Sequence, residues 1–525
     1  MKNSDVQFDK TNLLSYQASI SDPKEYINAR EENRLTLRKK RLDNHLLKKR
    51  ESLLQSRPKD LTYEIKLSTL SIPQEIVNKT YPSIEAFISE MNSYLQAASV
   101  DLNKFALHQL RKATLSEKNS PDLMYDSNTV DFILPILNKY INDPQVVFES
   151  LWILINITMK ITKPELTRRL ISDYSFDMYT KIIQSGINDN RDNLMWLFLN
   201  LSIKNIDAFF PMMNSAILKD DILNYLNGDN KIPTETLKLT ICFLAALTDN
   251  YIPQVPERKM TQEVIETETK IAKAFCKYIN IEDEEISNDC LVGLSNISNS
   301  NNRQVFNVIY ASGIIRRVVK RLIKISEPFE KLAIHLVGNF LSFIENDVLD
   351  PIVLKEIIDF LQDFIINSND NGKRHSAFWA LSNICIEGAE IITKSPVIPY
   401  LLNAIKTAEI KVGNEALYCL EELVNNENVD IVIKVAQYEV VDLLVEVVEK
   451  YYQVPMSVSL ILSSLNGLFH VGELVKEHTN GKNIYLTRFW TVGGRDILEK
   501  LQNYNDITVN NSVINIIQTY FSVDN

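Results

Sequence analysis

Eight apolar segments recur along the chain at a nearly constant interval, and no other feature narrows the possible folds as far. They are SLWILINIT, LMWLFLNLS, ICFLAALT, LVGLSNIS, IHLVGNFLS, AFWALSNIC, LYCLEELV and SSLNGLF. Aligned without gaps, they carry a tagged position near the start at Trp152, Trp196, Cys242, Val292, His335, Trp379, Tyr418 and Ser463. Successive tags lie 44, 46, 50, 43, 44, 39 and 45 residues apart. From Tyr81 onward apolar residues recur at helical spacing, in blocks separated by polar breaks such as SEKNSP, INDP, GDNKIP and INSNDNGK. The body is therefore expected to be nearly all helix. Helices that repeat their pattern at such a period stack as equivalent units along a line instead of wrapping one core.

A period in the low-to-middle forties fits armadillo or HEAT repeats. Flanking blocks at 84–116 and 493–521 can cap the stack, making about ten repeats. Composition agrees: 13 glycines and 17 prolines in 525 residues are few for barrels, sandwiches or nucleotide-binding sheets. No apolar run approaches the roughly 18 residues of a membrane span, so no membrane association is expected. The start, MKNSDVQFDKTNLLSYQ, lacks the features of a signal or transit peptide, which places the chain in the cytosol or nucleus. Its five cysteines, at 242, 276, 290, 385 and 419, form no CxxC pair and read as reduced thiols, with no metal site and no cofactor expected. A phosphate loop, HExxH, GxSxG and a dinucleotide turn are all missing, so nothing suggests an enzyme.

Charge is unevenly placed. Residues 24–59 hold 12 Lys and Arg against five acids, a balance of +7, so the rest carries −11 − 7 = −18. A basic arm is joined to an acidic body, which disfavours nucleic acid as the body's ligand. Residues 24–57 contain neither Gly nor Pro, with Asp22-Pro23 before them and Pro58 after, which predicts one helix. Its leucines at 35, 42, 46 and 53 are too sparse for a core, so it should order on a partner. The organisation expected is a basic segment over 1–58, a linker over 59–80 and the repeat body over 81–525.

A second tag falls four residues after the first: Asn156, Asn200, Ala246, Asn296, Asn339, Asn383, Glu422 and Gly467. Residues i and i+4 share a helix face, so WxxxN kept in register suggests a face that lines a groove. Asn amides can hold the backbone of an extended peptide, and Trp rings between them form slots for Lys and Arg stems. A single WxxxN pair is ordinary core. Three full pairs (152/156, 196/200, 379/383), with Asn alone kept at 296 and 339, argue for basic peptides as ligand.

These segments, above all FESLWILINIT, LMWLFLNLS, HSAFWALSNICIEG and GNEALYCL, resemble the groove repeats of the importin-α (karyopherin-α) family, and the likeness runs from about residue 24 to residue 521. The tail GGRDILEKLQNYNDITVNNSVINIIQTYF is similar to that family's closing repeat, and REENRLTLRKKRLDNHLLKKRESL to its importin-β-binding segment. The resemblance implies an all-α, right-handed superhelical armadillo-repeat solenoid that serves as a nuclear import adaptor. It implies a major peptide site of Trp152, Asn156, Trp196 and Asn200, and a minor one of Asn339, Trp379, Asn383, Glu415 and Tyr418. Arg38, Lys39, Arg41, Lys48, Lys49 and Arg50 would bind importin-β, and Lys48–Arg50 would fold back on the major site without it. Implied partners are importin-β, basic nuclear-localisation peptides of cargo and a nuclear export receptor. The implied location is cytoplasm and nucleus, transiently at nuclear pores.

The sequence departs from the family pattern at several places. Cys242 and Ala246 replace the third major-site Trp and Asn, Lys204 stands where an acid should receive the main lysine, and Lys160 replaces a small residue. His335 replaces Arg, Ser376 replaces Glu, and Tyr418 and Glu422 replace Trp and Asn. The major site should be weaker and the minor site should contribute more. An armadillo scaffold for other complexes, or an importin-α specialised for one partner, remain alternative readings; the basic arm favours the adaptor.

Overall fold

The computed structural model describes residues 63–116, 120–161, 163–203, 205–250, 261–300, 302–342 and 350–521, and every regular element among them is helical. Ten of the longer helices are labelled α1 (Val100–Ser116), α2 (Pro144–Lys160), α3 (Asn188–Ser202), α4 (Thr234–Asp249), α5 (Glu284–Ile297), α6 (Glu327–Leu341), α7 (Asn371–Ser382), α8 (Ile410–Val424), α9 (Pro455–Leu474) and α10 (Ile507–Tyr520). Two shorter helices precede the long one in a typical repeat. Pro164–Leu170 and Asp173–Gln184 lead into α3, and Val429–Ala436 and Val440–Tyr451 lead into α9. This is a three-helix armadillo unit, one of the two repeat types that the period fits. The chain clusters into two compact units, residues 63–314 with 323–329 and residues 315–322 with 330–521. In the first, α1 to α5 lie side by side in order; in the second, α7 to α10 do the same.

The polar breaks between apolar blocks are helix starts. Asp143 Oδ1 accepts from the amides of Gln145 and Val146 at 3.0 and 3.4 Å, with Pro144 in the first turn of α2. Asp283 and Asp506 cap α5 and α10 in the same way. Such caps satisfy amides that have no partner inside the helix. The acidic run Glu282–Glu285 is therefore a capped turn, and Lys238 bridges its Asp283 and Glu285 at 3.1 Å each. Once started, α2 is buried at every residue from Val146 to Thr158, packed against α1, α3 and the short helices Ser120–Asp126 and Thr129–Lys139.

The second helices of successive repeats are joined by Lys-Tyr pairs. Lys277 Nζ donates to the Leu226 and Gly228 carbonyls at 2.9 and 2.6 Å, and Tyr278 Oη to Leu226 at 2.9 Å. Lys450 Nζ donates to Ile405, Lys406 and Ala408 at 2.8, 3.2 and 2.7 Å, and Tyr451 Oη to Ile405 at 2.8 Å. A cation at one repeat's helix end thus meets the last carbonyls of the repeat before it.

The stretch expected as a linker is anchored from residue 63. It contains two short helical turns, Leu67–Thr69 and Gln74–Val77, and Ile65 is 2% exposed. Ile65 N donates to Glu149 Oε1 at 3.2 Å, Arg111 Nη2 to Glu64 Oε1 at 2.6 Å, and Ser71 N to Asp101 Oδ2 at 3.0 Å. The partners of Glu64 and Ile65 lie 47 and 84 residues away, so no local pattern announces the attachment. The basic segment, with Arg38, Lys39, Arg41, Lys48, Lys49 and Arg50, lies outside the described residues.

One buried carboxyl ties pH to stability. Glu268, 2% exposed, accepts from Asn302 Nδ2 at 3.0 Å, and burial lifts its pKa to about 7, with hydrogen bonds from Asn302 and Ser300 holding it back only in part. The folded chain therefore binds this proton more tightly than the unfolded chain. The resulting stability is complete below the unfolded value near 4.5 and is lost as pH rises toward 7. Glu268→Gln keeps the acceptor and removes the ionisation. In urea denaturation it should have little effect at pH 4.5 and stabilise the protein increasingly up to pH 8, by at most on the order of 3 kcal/mol.

Candidate functional site

The tagged residues come together as ladders across neighbouring helices within each unit. In the first unit the Trp152 and Trp196 rings, on α2 and α3, lie 6.2 Å apart at 49°. Phe148, one turn before Trp152, meets its ring edge at 6.1 Å. Asn156 Nδ2 donates to Thr114 Oγ1 at 2.7 Å, and Asn200 Nδ2 to the Ile155 carbonyl at 3.0 Å and to Thr158 Oγ1 at 3.4 Å. Asn296 Nδ2 donates to the Ala245 carbonyl at 3.3 Å. The second unit repeats the arrangement. His335 and Trp379 rings are 5.5 Å apart, and Asn383 Nδ2 donates to the Gly338 carbonyl at 2.9 Å. Asn383 is half-buried, while Trp152, Asn156, Trp196, Asn200, Asn339, Trp379, Glu415 and Tyr418 are buried.

Three of these hydrogen bonds obey one rule. Asn200, Asn296 and Asn383 each donate to the carbonyl of the residue just before the second tag of the preceding repeat, namely Ile155, Ala245 and Gly338. Since a carbonyl can only accept, each amide must present its nitrogen there, which fixes the side-chain orientation. Read from sequence alone, the whole amide goes to a ligand. The structure instead commits the nitrogen to the neighbouring repeat. Asn200 Oδ1 is buried with no hydrogen-bond partner among the described residues, an acceptor on the helix face that carries Trp196.

Departures from the family pattern fall into compensating pairs. Ser376 Oγ and His335 Nε2 are 3.3 Å apart, so the residues that replace an expected Glu and Arg face each other. Ala246 has no amide, and Asn250, one turn later on the same face, donates to the Ser202 and Ala246 carbonyls. With Cys242 and Ala246 both buried, α4 offers no ring and no amide at its ladder positions. Lys160 is exposed, and Lys204 lies outside the described residues. In the second unit, Glu415 Oε1 lies 3.3 Å from His375 Nε2. Burial, with the like charges of Glu421 and Glu387, raises the pKa of Glu422 above the usual carboxylate value.

Sequence reasoning missed Thr114, Thr158, Asn250, His375 and Gly338. Gly338 had the clearest signal, a glycine inside an apolar helix. A Cβ there would lie 2.1 Å from Trp379 Cζ3, so the indole is seated directly on the backbone of α6. Among the described residues no group of three His, Cys, Asp or Glu could hold a metal ion, and no helix is long and apolar enough to cross a membrane.

The ladder rule makes a direct expectation. Asn200→Ala leaves Ile155 and Thr158 without their cross-repeat donor and should cost about 1–2 kcal/mol in urea denaturation. Ala246→Asn would restore a donor toward Leu199, the carbonyl the rule assigns to it, and should cost less than Asn200→Ala despite the added volume.

No family model matches the chain. Importin subunit alpha-1a of Oryza sativa subsp. japonica is 24% identical over 404 residues, covering 75% of this chain and 70% of that protein. Importin subunit alpha-4 of Arabidopsis thaliana is 22% identical over 507 residues, 94% of this chain and 88% of that one. For importin subunit alpha-B of Dictyostelium discoideum the match is 24% over 336 residues, 63% of this chain and 59% of that one. Among solved structures, an engineered protein shares the fold with a TM-score of 0.63 over 82% of this chain and 98% of its own, at 16% identity. Repeat period, three-helix units, asparagine ladder and relatives spanning most of the chain agree: this is an armadillo-repeat protein that resembles importin-α subunits at 22–24% identity.

Proposed function

We propose that the protein is a nuclear import adaptor that holds basic nuclear-localisation peptides on its ladder faces and binds importin-β through its N-terminal basic segment. The observation that carries this reading is the Trp152–Trp196 pair beside an unpartnered buried Asn200 oxygen. Asn200 and Asn156 would hold an extended peptide's backbone through amide groups that the neighbouring repeat does not take. The indoles would take the aliphatic stems and cationic heads of Lys and Arg, at about 0.5–2 kcal/mol for each cation over a ring. In the second unit, Asn339, Trp379, Asn383, Glu415 and Tyr418 would act alike, with Glu422 adding a carboxylate where the family pattern has an amide.

Arg38, Lys39, Arg41, Lys48, Lys49 and Arg50 would serve importin-β, and Lys48–Arg50 would compete for the first unit's face when importin-β is absent. Cargo and importin-β then raise one another's affinity by the same factor, as linkage requires. The protein would bind and release and catalyse nothing. It would move between cytoplasm and nucleus, pass transiently through nuclear pores and leave the nucleus on an export receptor. A second reading is an adaptor dedicated to one partner. The bare ladder positions of α4 favour it, since they remove one ring slot and one backbone clamp from the face a general cargo would use.

Fluorescence polarisation with a bipartite basic peptide tests both. In the full chain carrying Lys48→Ala, Lys49→Ala and Arg50→Ala, binding should be micromolar or tighter. Trp379→Ala should weaken it about tenfold or more, and Trp196→Ala less. A larger loss with Trp196→Ala would reverse the ranking of the two faces. Absence of binding would refute general cargo recognition and leave the dedicated-partner reading.

A further inference from the structure

The second unit sets a titratable side chain against a carboxylate of its own candidate site. Glu415, on α8, is 3% exposed, and its Oε1 lies 3.3 Å from Nε2 of His375 on α7. His375 stands one turn before Trp379 on the same helix face, and with its side chain 27% exposed it is the more open member of the pair. The bonds that hold α7 to α6 run through Ser376 and Asn383, whereas His375 reaches forward to α8.

Histidine is the side chain whose charge ordinarily changes between pH 5 and 8. A neutral ring can give Glu415 one hydrogen bond and leaves its negative charge uncancelled. A protonated ring makes an ion pair with it, and a lysine or arginine head brought to the same carboxylate then meets a like charge. A ligand cation and a proton on His375 therefore compete, and binding the one expels the other. The surrounding cations do not switch, because lysine and arginine stay charged throughout this range. They are Lys373, paired with Glu330 at 2.9 Å, the adjacent Arg374, Lys331 at the equivalent position of α6, and Lys411 one turn before Glu415. The helix Pro351–Asn367 turns an apolar face to α7, with Ile357, Leu361 and Phe364 among its buried residues. His335, on α6, is 2% exposed, and its Nε2 faces Ser376 Oγ, which itself donates to the Gly372 carbonyl at 3.0 Å. On α8, Glu422 also titrates above the usual carboxylate range.

We propose that His375 is a specificity-determining residue of the second unit's face: neutral, it leaves the Glu415 carboxylate to a cationic side chain of the peptide, and protonated, it takes that carboxylate for itself. This rests on the reading of that face as a peptide site. Binding of a basic peptide is then linked to proton release through a residue that belongs to neither the Trp nor the Asn ladder.

The test is fluorescence polarisation at constant ionic strength, with the full chain carrying Lys48→Ala, Lys49→Ala and Arg50→Ala. The probe is a bipartite peptide of Lys, Arg and uncharged residues, acetylated and carrying a dye that does not titrate between pH 5.5 and 8. Expelling one proton lowers affinity by up to about tenfold for each pH unit, and affinity should fall about threefold or more from pH 8 to pH 5.5. His375→Gln keeps a donor for Glu415 and cannot be charged, so it should remove most of that fall. Glu415→Gln should weaken binding at pH 8 and remove the fall as well, while Glu422→Gln should leave it. A fall that survives in His375→Gln or Glu415→Gln, or that Glu422→Gln abolishes, overturns the inference. So does an affinity that does not change with pH, and in these cases the peptide-site reading stands. If the peptide does not bind at pH 8, that reading fails and takes the inference with it.

Discussion

A stacked repeat has no core of its own, so every unit depends on what its long helix can give the helix before it. In this chain the buried part of that exchange is apolar, as in the unbroken run from Val146 to Thr158, but the polar part sets the register. An asparagine that donates to the carbonyl just before its counterpart's position allows one sliding position between two helices. A shift by a single residue would carry the amide away from the second lone pair of that carbonyl and would bury an unmet donor, at roughly 1–3 kcal/mol. Van der Waals packing of Leu and Ile tolerates such a slide more easily. The amides therefore fix where each indole stands relative to the next. The spacing between Trp152 and Trp196 follows from the bond that Asn200 makes to Ile155, one helical turn beyond the ring of Trp196.

This dual use of asparagine explains which parts of the structure were legible in the sequence. The period, the helical content and the ladder positions could be read because each is a local pattern repeated many times. The helix starts could be read too, since Asp143-Pro144 and its analogues are cap and first turn in adjacent letters. The division of labour within each amide could not, because WxxxN looks the same whether the side chain serves a neighbouring helix, a ligand or both. Only the position of the Ile155, Ala245 and Gly338 carbonyls decides it. The anchoring of the segment after residue 62 stays hidden for a related reason. Glu64 and Ile65 sit in the alternating run LTYEIKL, whose period is not the helical one of the repeats, and what fixes them is Arg111 and Glu149, far along the chain.

Substitutions that looked like separate losses in the sequence prove to be coupled in space. His335 and Ser376 lie 41 residues apart and in different repeats, yet they face each other across 3.3 Å. A buried Arg opposite Ser, or a buried Glu opposite His without its proton, would each leave a charge poorly met, and that penalty is several kcal/mol. Exchanging both members at once avoids it. Ala246 and Asn250 show the same logic within one helix, where the cross-repeat donor has moved by one turn to the Ser202 carbonyl. The framework is preserved in both cases while the groups available to a ligand change.

That separation between framework and ligand groups bears on how such a family diverges. Inter-repeat bonds, caps and Lys-Tyr pairs hold the stack whether or not a given ladder position carries a ring, so a repeat can lose its slot without losing its fold. α4 has done so: Cys242 and Ala246 are as buried as the residues around them, and the helix still packs between α3 and α5. A binding face built from semi-independent repeats can therefore be weakened at one step and kept at the others. In the second unit Trp379 and Tyr418 keep their rings, and Glu422 puts a half-buried carboxyl where Asn339 and Asn383 carry an amide.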